Sequence, residues 1–74
     1  MEASTCQIEL IYERETLFND EIVVTGSVAE IGFWDPHKGA AMHTSAETYP
    51  LWRTVLRLPK EINIEYKYVI KRGH

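Results

Sequence analysis

Apolar and polar residues alternate along most of this chain with a period of two, the signature of strands that bury one face. "CQIELIY" places Cys6, Ile8, Leu10 and Tyr12 on one side, with Gln7 and Glu9 on the other. "PLWRTVLRL" sends Trp52, Thr54, Leu56 and Leu58 one way and Arg53, Val55 and Arg57 the other. "INIEYKYVIK" predicts a long strand with Ile62, Ile64, Tyr66, Tyr68 and Ile70 inward and Asn63, Glu65, Lys67 and Lys71 outward. "EIVVTGS" is a short apolar run ending at Gly26-Ser27, and "AAMHT" predicts one more short strand. Turn residues separate these runs at Asn19-Asp20, Gly32 to Gly39, Ser45 to Pro50 and Pro59-Lys60. Short strands at this spacing predict an all-β fold, an antiparallel β-sandwich. The piece "SVAEIG" predicts a single helical turn capped by Ser27.

One stretch resists the strand pattern. "IGFWDP", residues 31–36, puts Phe33 and Trp34 between a glycine and a proline. Gly32 adopts backbone angles other residues avoid, and Pro36 pushes Asp35 toward extended geometry. The tryptophan therefore belongs to a turn. Its ring either folds back over the core or faces out as a platform for a flat, partly apolar ligand.

Composition narrows the choice. Seventy-four residues make one small domain with a modest core. Cys6 is the single cysteine, so no intrachain disulfide forms, and a small buried hydrophobe is its expected role. Eight Lys and Arg against eleven Asp and Glu give a net charge of −3, with both signs interspersed. Without a basic run, neither nucleic acid nor an anionic membrane is an expected partner. The start, "MEASTCQIEL", lacks a basic region followed by an apolar core, so a cytoplasmic location is the expectation.

The chemistry of catalysis finds no candidates. The carboxylates are scattered, and the Glu30/Asp35 neighbourhood is no hydrolytic pair. His37, His43 and His74 lack metal-ligand spacing, so no metal site is expected. The glycines match no nucleotide-binding fingerprint, so no cofactor is expected either. Aromatic residues remain. Trp52, Tyr66 and Tyr68 fall in strands and are expected in the core, whereas Phe18, Phe33, Trp34 and Tyr49 fall in or beside turns. A sugar ring presents axial C–H groups on one face and hydroxyls around its rim. An aromatic plate takes that apolar face out of water, and flanking polar side chains bond the rim.

The order "VVTGSVAEIGFWDP … YPLWRTVLRLP … IEYKYVIK" resembles the family 20 carbohydrate-binding module, the starch-binding domain, over nearly the whole chain. The resemblance implies an immunoglobulin-like sandwich and non-catalytic binding of α-1,4-glucan: starch, glycogen, maltooligosaccharide or cyclodextrin. It implies a first site at Trp34 with Lys67 from the Tyr-Lys-Tyr strand. It implies a second site at Phe18, where many members have tyrosine, with Tyr49 from the loop before Pro-Leu-Trp. Trp52 matches the strand tryptophan that supports the core and is tied to the second site. Members continue past the Tyr-Lys-Tyr strand into two more strands, which carry the first site's second aromatic plate and an asparagine. The expectation is therefore one starch-binding domain over residues 1–74, cut short within a larger protein of glucan metabolism. The strand around Tyr66 to Ile70 would then present an open edge prone to self-association. Two alternatives stand beside this reading: a protein-interaction sandwich that has lost sugar binding, and a structural domain whose turn aromatics lid the core.

Overall fold

The computed structural model describes residues 5–73; Met1 to Ser4 and His74 lie outside the described residues. The five strands are β1 (Thr5–Glu13), β2 (Glu21–Gly26), β3 (Ala40–Ala41), β4 (Leu51–Pro59) and β5 (Tyr66–Lys71). Every pairing is antiparallel. β1 and β4 form one sheet, and β3-β2-β5 form the other. Residues 40–43 cross between them: Ala40 and Ala41 pair with β2, and His43 bridges to Arg53 of β4. The expected all-β sandwich is the observed one.

The nine-residue β1–β4 ladder aligns Ile8 with Leu56 and Tyr12 with Trp52. Both strands keep the alternation read from the sequence, with Trp52, Thr54 and Leu58 buried and Arg53, Val55 and Arg57 in solvent. This sheet has a wet outer face, on which Arg53 forms an ion pair with Glu9. β2 behaves differently: Ile22 through Gly26 are all buried. One side of β2 meets the core. The other is covered by the segment carrying two 3-10 turns, Ala29–Ile31 and Pro36–Lys38. The hydroxyl of Thr25, fully buried, donates to the Ile31 carbonyl at 2.6 Å and so needs no water.

The core has two parts that share Leu10 and Tyr68 at their border. Val24, Val28, Ile31 and Leu58 build one; Ile22, Met42 and Trp52 build the other. The Tyr12 and Tyr68 rings stack across the two sheets with centroids 4.0 Å apart. Burial, with Tyr66 and Tyr12 nearby, holds the Tyr68 phenol above its ordinary pKa, so it stays neutral in this packing.

Four expectations are corrected. The long strand predicted over residues 62–71 begins only at Tyr66. Its partner β2 ends at Gly26, and the last contacts are Ser27 N–H to the Glu65 carbonyl and Glu65 N–H to Ser27 Oγ. Beyond that point no ladder continues among the described residues. Glu61, with φ of 64°, bends the chain away. Ser27 therefore does not cap the following turn, whose first cap position is Val28. Tyr66, expected in the core, is half exposed, and Cys6 is half-buried beside an apolar trough between β1, β4 and the 60–66 segment.

Candidate carbohydrate-binding surfaces

The "IGFWDP" turn is held by its own backbone. Gly32 sits at φ of 89°, where a Cβ would lie 2.7 Å from the Lys38 carbonyl, so only glycine fits without displacement. Phe33 and Trp34 also have positive φ, 49° and 69°. Left-handed geometry costs a bulky L-residue on the order of 1–2 kcal/mol. Hydrogen bonds offset it: Phe33 N–H donates to Val28 O at 3.1 Å and Trp34 N–H to Gly26 O at 2.8 Å. Asp35 is extended, as its proline neighbour requires, and its carboxylate accepts from the His37 amide at 3.0 Å. The turn is thus stiff, and Trp34 keeps 43% of its surface open to solvent.

Lys67 arrives from a different part of the chain. It lies on the exposed face of β5, opposite Thr25, one residue from the Gly26–Tyr66 pair. Trp34 is tied to Gly26 by its amide, so ring and lysine share one end of the β2–β5 ladder. Lys67 Nζ stands 5.9 Å from the Trp34 ring centroid, at the outer limit of cation–π range. An aromatic plate with an ammonium donor close above it offers the two kinds of contact a sugar ring makes, stacking and hydroxyl hydrogen bonding.

The second group gathers at the other end of that ladder, on the order of 15–20 Å away at about 3.3 Å per strand residue. Phe18 stands on the 14–20 loop with 91% of its surface exposed. Tyr49, 41% exposed, approaches from the loop before β4. Its hydroxyl accepts from Thr16 N–H at 2.7 Å and donates to Thr16 O at 3.0 Å. Arg14 N–H donates to Pro50 O at 2.9 Å, and Trp52 Nε1 donates to Arg14 O at 3.0 Å. Two loops far apart in sequence are thereby sewn together. Phe18, Tyr49 and Thr44 rim a hollow of about 400 Å³ with Trp52 beneath. Trp52 itself is 7% exposed, so its share is support from below.

Sequence reasoning passed over Asp20, reading it as turn chemistry alone. Its carboxylate is buried and accepts from Leu17 N–H at 3.0 Å, Arg72 Nη1 at 2.6 Å and Gly73 N–H at 3.3 Å. The Leu17 amide, foremost, holds the acid below its ordinary pKa; burial opposes this, and Arg72 and the Gly73 amide add to the lowering. The Asn19-Asp20 pair was the one visible signal, since Asn19 takes the left-handed angle of the turn at φ of 72°. Among the described residues no cluster of three or more His, Cys, Asp or Glu could hold a metal ion.

Known proteins resemble this chain in sequence and fold. The family described as "Starch binding domain" matches residues 5–74. An alpha-amylase of Thermomonospora curvata is 41% identical over 54 residues, covering 73% of this chain and 9% of that protein. Glucoamylase-1 of Schizophyllum commune is 36% identical over 69 residues, covering 93% of this chain and 12% of its own length. A cyclomaltodextrin glucanotransferase of Thermoanaerobacterium thermosulfurigenes is 28% identical over 71 residues, 93% of this chain and 10% of that protein. The chain thus spans about a tenth of the length of these relatives. A solved family 15 glucoamylase from Hypocrea jecorina superposes with a TM-score of 0.82 at 22% identity, over 93% of this chain and 12% of that one, which establishes the shared fold. The family match runs through both aromatic surfaces and all five strands, and the chain therefore belongs to the starch binding domain family.

Proposed function

We propose that this chain is a non-catalytic module that binds α-1,4-glucan through two surfaces, Trp34 with Lys67 and Phe18 with Tyr49 over Trp52, and so carries an attached enzyme to starch or glycogen. The observation that carries the reading is the turn at Trp34. A bulky residue is held in left-handed geometry by three backbone constraints, at Gly26, Val28 and Gly32, and its ring is nevertheless left open beside an ammonium group. A chain that needed the ring only as a core lid would bury it. A stiff platform loses little conformational entropy on binding. The module would raise the local concentration of substrate for its neighbour.

Affinity should be modest. One or two plates at roughly 2 kcal/mol each, with a few exposed hydrogen bonds at about 1 kcal/mol, support a Kd between about 10 μM and a few mM. Sedimentation with insoluble starch, and calorimetry with β-cyclodextrin, test it. Absence from the starch pellet would favour a protein-interaction role. The β5 edge opposite β2 carries no strand partner among the described residues. Self-association through that edge belongs to the same proposal. Sedimentation equilibrium should show a concentration-dependent mass, and a constant monomer mass up to high concentration would refute it.

A further inference from the structure

We propose that Asp20 is the positioning residue of the second surface, fixing the Phe18 plate on one side of Tyr49 and the Arg72 guanidinium on the other. The inference rests on the reading of that surface as sugar-binding.

Beside the hollow at Phe18 lies another of about 430 Å³, walled by Glu15 and Arg72. Both hollows share Thr16, Leu17 and Tyr49, so they are two halves of one groove with Tyr49 in the middle. The groove is longer than the Phe18–Tyr49 pair alone, and its far wall carries one charge of each sign, Glu15 and Arg72. Arg72 comes from just beyond β5, 52 residues along the chain from Asp20.

One carboxylate controls both walls. On the loop side, Asp20 Oδ2 accepts the Leu17 amide and the Leu17 carbonyl accepts the Asp20 amide, each at 3.0 Å. This closes the turn on whose tip Phe18 stands. With 91% of its surface exposed, Phe18 has little packing of its own to hold it, so the turn must fix its direction. On the strand side, Arg72 Nη1 reaches the same oxygen and Gly73 N–H reaches Oδ1. A Cβ on Gly73 would run into the Asn19 carbonyl, so glycine there lets the segment lie flat on the turn. A guanidinium has five N–H donors in a rigid fork. Asp20 takes one, and the half-exposed remainder lines the groove. Such a fork suits the vicinal hydroxyls on the rim of a glucose unit lying past Tyr49.

The experiment uses the full chain and maltoheptaose, with the two surfaces isolated in turn. Trp34→Ala leaves the second surface to be titrated, and Tyr49→Ala leaves the first. Asp20→Asn should weaken the second surface about tenfold or more, the scale of a lost charge-assisted bond, and leave the first within about twofold. Arg72→Gln should act in the same direction while leaving the Asp20 side chain and its Leu17 and Gly73 amide bonds in place, and Arg72→Lys should recover part of the loss. The Arg72 variants also keep the test decisive should Asp20→Asn fail to fold. Equal weakening of both surfaces would show a merely structural role and overturn the proposal. So would a second surface indifferent to Asp20→Asn and Arg72→Gln while Trp34→Ala protein still binds. If Trp34→Ala protein binds no maltoheptaose, the sugar-binding reading of that surface falls, and this inference with it.

Discussion

Replacing Trp34 with alanine separates the platform from the core lid, and the structure sets the scale of both effects. An aromatic side chain buries about 150–250 Å² when fully covered. With 43% of Trp34 open, on the order of 65–105 Å² remains for a ligand to cover, worth at most about 1.5–2.5 kcal/mol at 25 cal/mol per Å². That predicts a first-surface Kd raised about 10- to 60-fold. The covered part of the ring has a structural role as well. Its loss should cost on the order of 1–2 kcal/mol of stability, since extended-chain areas overstate burial and alanine keeps the same backbone angles and amide bonds. The domain should therefore stay folded with a lowered Tm. NMR titration with maltoheptaose reads both surfaces at once. The amides near Lys67 should stop shifting, while those near Thr16 and Tyr49 continue. Unchanged affinity near Lys67 in folded Trp34→Ala protein would refute the platform. A variant that unfolds outright would make the ring a core lid instead.

Trp52→Ala should be far more damaging: the side chain is 7% exposed and its Nε1 satisfies the Arg14 carbonyl. The expected loss is about 3–5 kcal/mol, near the whole stability of a small domain, seen as a collapsed thermal melt. Gly32→Ala forces a Cβ against the Lys38 and Asp35 carbonyls at positive φ. It should cost on the order of 1–2 kcal/mol and weaken the first surface with it, checked by melting and by cyclodextrin calorimetry. Asp20 contributes to the acid limb of stability. Its folded pKa lies below the ordinary 3.8, so the stability it contributes is complete above that value and is lost as pH falls through the lower folded one. Melts between neutral and acid pH should show a drop that Asp20→Asn flattens; an unchanged acid limb in that variant would contradict the assignment.

What the sequence determined by itself is whatever depends on neighbours along the chain. β1 and β4 read correctly because each buries one face of a two-stranded sheet, and period two is local geometry. The Trp34 turn was legible for the same reason, since Gly32 and Pro36 act on the residues beside them. The placement of Lys67 on an outer face followed from alternation, but its nearness to Trp34 did not. What required the tertiary structure was set by pairing at long range. β2 shows no alternation because sheet and turns cover both its faces. β5 starts late because a strand ends where its partner ends, and residues 62–64, alternating as they do, have no strand partner among the described residues. Ser27 bonds Glu65, 38 residues away, because that amide needed an acceptor once the ladder stopped. Tyr49 with Thr16 and Asp20 with Arg72 are 33 and 52 residues apart. No local pattern encodes those contacts, because a side-chain hydrogen bond requires only that folding bring donor and acceptor within reach. The second surface is built almost wholly of such contacts, whereas in the first the Trp34 platform comes from a single turn and only Lys67 is brought in from another strand.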